Sequence, residues 1–228
     1  MIHSHVLDRP VWSALTGRLS HLALRSSGAL RMNPAFGLFA AVETESVDSL
    51  AVLGGLVCEH GISGLVELTE VVAPPGTERV SAAVCWQMVA EVLAPAAPVS
   101  FAIDPLTDAD ASQMLALATL TKPGPFFART HELGSFVGVK IDGCLAAMAG
   151  ERLRPEGFTE VSGVCTHPDH RGKGYAAGLM AHVAGRIAAS GETPFLHSYA
   201  DNVGANRLYE SLGFRLRREV IFTVLQPA

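Results

Sequence analysis

Between Tyr175 and Ser190, apolar residues recur at Ala176, Leu179, Met180, Val183 and Ile187. That spacing lays them on one face of an α-helix. Gly191 stops the pattern. Similar helical spacing marks 10–24, 47–60 and 81–93, and a helix from a Thr107 or Asp108 cap to 120. Strand-like runs appear as "FGLFAAVE", "GLVELTEVV", "VSFAI", "SFVGVKI", "CLAAMAGERL", "FTEVSGVCT", "PFLHSYA" and "FRLRREVIFTVL". Asp142-Gly143 separates two of them and predicts a tight hairpin. "NVGANRLYESLG" reads as a short helix closed by Gly213 at its C′ position. The order predicts an α/β protein with a mixed sheet and an antiparallel hairpin at its centre.

Two regions differ in character. Residues 1–98 hold helical and strand patterns and no chemical motif, and "APAAP" at 94–98 reads as a linker. Residues 99–228 carry every motif described below. The expected division is an N-terminal α/β region, 1–98, that is structural or shapes a substrate pocket, and a second domain, 99–228.

Composition narrows the class. Of 228 residues, 49% are hydrophobic and 17% charged, enough apolar material for a sizeable core. A mean hydropathy of +0.29 is high, which suggests apolar surface covered by a second copy, as in a homodimer. The net charge of −5 argues against a nucleic-acid partner. No apolar run reaches 18 residues, and the N-terminus lacks a signal-peptide pattern, so the expectation is a cytoplasmic protein without a membrane span. Cys58, Cys85, Cys144 and Cys165 form no C-x-x-C pair. They read as reduced thiols.

The stretch "HPDHRGKGYA" at 167–176 is the first chemical signal. A glycine-rich turn entering a helix presents unpaired amides and a positive dipole end to an anion. Arg171 and Lys173 add charge, with His170 as a neighbour of the phosphate and His167 as a turn residue. A Walker A loop fails, because Gly174 follows Lys173 where Ser or Thr is needed. A dinucleotide fingerprint matches at Gly172, Gly174 and Ala177. It follows its strand too late, however, and from an antiparallel meander. A solvated turn would leave the downstream motif unexplained, and His167, Asp169 and His170 in a proline-containing turn read as surface residues, so no metal is expected.

Arg171-Gly172-Lys173-Gly174-Tyr175-Ala176 resembles the acetyl-CoA loop, [QR]-x-x-G-x-[GA], of the GNAT acyltransferase superfamily. Asn202, Ala205, Asn206, Tyr209, Gly213 and Phe214 resemble that family's N-x-x-A-x-x-x-Y-x-x-x-G-F segment. Both motifs occur in the family's order, and the likeness covers 99–228. It implies a GNAT-like acyl-CoA N-acyltransferase fold, with 1–98 as an additional region that could be a degenerate half of the same kind. It implies acetyl transfer from acetyl-CoA to a primary amine of a small molecule or peptide. The amides of Arg171 to Ala176 would hold the pyrophosphate. Val164, Cys165 and Thr166 would run beside the pantetheine arm, with the Val164 amide facing the thioester carbonyl. Asn202 and Asn206 would contact the cofactor, and Tyr209 would protonate the leaving thiolate. Glu160 is the candidate base and Glu151 its reserve. The loop "TKPGPFFART" and residues 1–98 would shape the acceptor pocket. A non-catalytic acyl-CoA-binding module and a dinucleotide-dependent oxidoreductase are the alternative readings.

Overall fold

The computed structural model describes residues 5–228. Pro10–Thr16 forms α1, with proline in the first turn where its missing N–H costs nothing. The strands β1 (Ala23–Ser26) and β2 (Ala29–Met32) turn at Ser27-Gly28, and Gly28 supplies the positive φ. β3 (Ala40–Val42) pairs with β2. α2 (Val47–His60) begins at Ser46, whose side chain accepts from the Ser49 amide. β4 (Ser63–Glu67) and a long β5 (Thr77–Val89) follow. The rest of the chain runs β6 (Asp104–Leu106), α3 (Ala111–Thr121), β7 (Phe136–Ile141), β8 (Cys144–Glu151), β9 (Phe158–Thr166), α4 (Tyr175–Ala189), β10 (Thr193–Tyr199), α5 (Val203–Ser211) and β11 (Arg215–Pro227). Asp142 and Gly143 both take positive φ, as a two-residue hairpin requires. No described helix is long and apolar enough to cross a membrane.

Three elements differ from the sequence pattern. The stretch 81–93 is strand, not helix. Its alanines, Gln87 and Met88 favour a helix, but β5 lies hydrogen-bonded between β10 and β11, and that pairing overrides propensity. The helix expected over 10–24 stops at Thr16 and gives way to β1. The strand expected at "VSFAI" forms instead at Asp104–Leu106, where it meets β7.

The topology repeats. α1-β1-β2-β3-α2-β4-β5 and α3-β7-β8-β9-α4-β10-β11 share one order, with α5 inserted in the second set. In each set three antiparallel strands precede a helix, and the strand after the helix lies parallel to the third. This is a single bridge, Phe39 to Gly64, in the first set and Phe158–Glu160 against Thr193–Phe195 in the second. The last strands are exchanged: β5 lies beside β10, and β11 beside β4. β5 and β11 pair with each other along nearly their whole length. The resulting eight-stranded sheet, β4-β11-β5-β10-β9-β8-β7-β6, therefore takes strands from both sides of residue 98. In the second set, Leu179, Met180, Val183 and Ile187 of α4 pack on one sheet face. On the other face, Met114 and Leu117 of α3 cover Phe136 and Met148.

Candidate active site

β9 and β10 are hydrogen-bonded only as far as Glu160 and Phe195, then diverge. β10 turns its other edge to β5. On its far side, β9 carries a bulge: Gly163 and Val164 stand opposite the single residue Ala149. Gly163 takes a φ of +64°, and a Cβ there would lie 2.9 Å from the Phe136 ring. Only glycine suits the position. The fork opens a cleft on both sides of Val164, Tyr199, Asn202 and Tyr209, which line its two compartments along with Pro123.

The outer compartment, a groove of about 540 Å³, follows Val164–Thr166 to the glycine loop. Gly172 and Gly174 sit at φ +76° and +78° with open space above them, so their need is conformational. The Arg171 amide is committed to the Pro168 carbonyl. The amides of Gly172 to Ala177 have no hydrogen-bond partner among the described residues. They crown α4, whose first turn holds no acidic side chain. Lys173 Nζ stands 3.2 Å from His170 Nδ1, and His167 caps the preceding turn by accepting from the Asp169 amide. Every residue expected at the cofactor lines this groove except Asn206. That side chain is buried and donates to the Tyr199 and Ala200 carbonyls, pinning the turn between β10 and α5. Asn202 caps α5 through the Ala205 amide, at the groove's edge.

The inner compartment is narrower, about 110 Å³. Its walls include Phe39 and Val66 from the first set of elements, Phe222 of β11, and Pro123, Gly124 and Pro125 after α3. Tyr209 stands between the two compartments. Its hydroxyl makes no protein hydrogen bond among the described residues, and burial raises its pKa above the ordinary phenol value. The phenol therefore keeps its proton at neutral pH. Burial also pushes the Cys85 and Cys165 thiols up to about 11, which leaves neither as a nucleophile.

Glu160 does not occupy the position of a base. It is fully buried, and Arg152 Nε and Nη2 both donate to it at 2.9 Å. The Leu153 amide donates at 3.2 Å, and His197 Nδ1 lies 2.8 Å away. Burial alone would raise its pKa, but Arg152 and the His197 hydrogen bond outweigh burial and hold the carboxyl well below the usual range. A carboxylate so committed is a poor proton acceptor. Glu151, the reserve, is bound to Arg186 at 2.9 Å and lies outside both compartments.

The same network fixes a histidine tautomer. Gln87 Oε1 accepts from Arg217, and Gln87 Nε2 donates to the Leu7 carbonyl at 2.8 Å. Gln87 Nε2 also meets His197 Nε2 at 3.1 Å, so in the neutral ring Nε2 accepts and Nδ1–H donates to Glu160. Both ring nitrogens are thus used, and His197 is part of the inner compartment's lining. Arg152 and His197 were not singled out from sequence. Arg152 had a legible cue: it and Glu160 flank the Arg154–Gly157 turn, which pairs their backbones.

A family model described as FR47-like protein matches residues 137–223. No curated protein matches the chain. A solved protein from Novosphingobium aromaticivorans, assigned to the GNAT acetyltransferase family, is 46% identical. The match covers 99% of this chain and all of that one, with a TM-score of 0.91. A GCN5-related N-acetyltransferase from Kribbella flavida is 19% identical over 96% of this chain and 94% of its own, with a TM-score of 0.64. A GCN5-related N-acetyltransferase-like protein from Streptococcus suis is 15% identical over 96% and 92%, at 0.60. The last two show a shared fold. With the full-length match at 46% identity, the forked sheet and the glycine loop before α4, the chain belongs to the GNAT acetyltransferase family.

Proposed function

We propose that the protein transfers an acetyl group from acetyl-CoA to a primary amine by direct attack on the thioester. The observation that carries this reading is the fork between β9 and β10, which joins a row of free amides to a small inner compartment. The amides of Gly172 to Ala177 take the pyrophosphate, with Arg171 and Lys173 beside it. The pantetheine arm lies along Val164–Thr166 as a further strand, and Asn202 meets it at the groove's edge. The Val164 amide, at the bulge, donates to the thioester oxygen and stabilises the oxyanion formed on attack.

The amine enters the inner compartment as the free base, and its nitrogen attacks the thioester carbon. The carbon–sulfur bond then breaks, and Tyr209 gives its proton to the departing thiolate. Glu160 positions Arg152 and His197 and takes no proton. No Asp or Glu lines the inner compartment, so the proton on the attacking nitrogen leaves through water in the cleft. The pH profile follows from this. kcat/KM rises with pH until the acceptor amine's own pKa, about 7.7–8 for a peptide N-terminus and about 10.4 for an alkyl amine, and shows no inflection in the carboxylate range. A profile that breaks at a lower pH, and shifts when Glu160 is replaced by Gln, contradicts the role given to Glu160.

Replacing Tyr209 by Phe tests the acid. kcat falls by about 100-fold, within the usual range for a lost general acid, while calorimetric acetyl-CoA affinity is nearly unchanged. An unchanged kcat removes Tyr209 from the mechanism.

A further inference from the structure

Arg152 spends two of its three nitrogens on Glu160. Its Nη1 has no hydrogen-bond acceptor among the described residues, although 91% of the residue is shielded from solvent. The guanidinium carbon lies 4.7 Å from the centre of the Phe39 ring, which fixes the plane of the fork. Nη1 stands at Gly124, 4.0 Å from where a Cβ would sit, and both residues line the inner compartment. Nη1 is not among the solvent-excluded unpartnered atoms of the described residues, so it opens on the compartment, where a ligand oxygen can take the place of water. Ser162 and Ser198 bring hydroxyls to the same walls, and the rest of the lining is largely apolar. The chamber offers donors and no carboxylate to receive a second cation.

We propose that Arg152 Nη1 selects the acceptor, binding the carboxylate of a small amine that carries one, such as an amino acid with an apolar side chain. The inference rests on the acetyltransferase reading and narrows its substrate. The two cations of a polyamine find no counter-charge here. Glu160 holds the guanidinium in register and leaves one edge of the fork for the substrate.

The test is thiol release by the full-length protein, with acetyl-CoA and three matched acceptors: an apolar amino acid, its carboxamide, and the amine lacking the carboxyl group. The amino acid is expected to exceed the other two by about tenfold or more in kcat/KM, the equivalent of one good polar contact. Arg152→Lys keeps the charge beside Glu160 and loses the fork. It should lower kcat/KM for the amino acid, mainly through KM, by about tenfold more than for the amine lacking a carboxyl group, so that the ratio between the two acceptors collapses. Comparing acceptors on the unmodified protein needs no variant, so misfolding of Arg152→Lys cannot hide the answer. Equal rates on all three acceptors, or faster turnover of a polyamine, overturn this proposal and leave the acetyltransferase reading in place. Binding of acetyl-CoA with no turnover of any amine overturns both.

Discussion

Tyr209 and Glu160 show how environment separates two residues that sequence alone presents as an acid–base pair. Tyr209 has a free hydroxyl on a cleft, and burial favours its protonated form. Glu160 lies beneath the cleft with its oxygens occupied. Its depressed pKa makes the pair stabilising above the ordinary carboxylate value of 4.5, and that stabilisation is lost as pH falls below it toward the folded value. Unfolding midpoints of the parent protein should therefore hold steady down to about pH 4.5 and then drop. The variant Glu160→Gln should be less stable at pH 7 by about 3–5 kcal/mol, because it leaves Arg152 unpaired, and should lose less on acidification. Parallel pH dependence in both proteins would show that Glu160 is not the titrating group. The sequence made Tyr209 legible, because its helix spacing and its motif agree. The commitment of Glu160 is harder to read, because Arg152 reaches it across the short Arg154–Gly157 turn and His197 only through the pairing of β9 with β10.

Among the elements, the glycine loop and α4 were readable because their conformation is set locally. Gly172 and Gly174 need left-handed φ values, and the helix face is written in its apolar spacing. Replacing Gly174 by Ala puts a side chain into that conformation, at a cost of about 1–2 kcal/mol, with open space around it. The loop should then tilt its amides and weaken acetyl-CoA binding, measured by calorimetry, with little loss of global stability. Unchanged affinity would place the pyrophosphate elsewhere. β5 was the opposite case. Its residues 81–89 look helical in isolation and become strand because two distant strands hold them. The bulge at Gly163 was equally hidden, since it depends on how β8 and β9 fall into register.

Across the whole molecule, the repeat with exchanged last strands explains why residues before 98 belong to the site. Phe39, Val66 and Cys85 reach the inner compartment because β5 and β11 tie the two sets of elements into one sheet. A fragment spanning 99–228 would leave facing edges of β10 and β11 unpaired, a template for aggregation. It should give no cooperative thermal transition, and a soluble, cooperatively folded fragment would contradict this account. The first set has no counterpart to the anion loop. Its turn carries Glu43, Glu45 and Asp48, and Arg9 donates to the Val42 and Glu43 carbonyls there. One acetyl-CoA per chain is therefore expected. No repeat was legible from residues alone, because the two sets share topology without sharing motifs.

The most direct measurement is acetyl-CoA-dependent thiol release by the full-length protein across amine acceptors, followed by mass analysis of the acceptor. The account predicts amine-dependent release, one acetyl amide formed per thiol. Tight acetyl-CoA binding with no amine-dependent thiol release would contradict it.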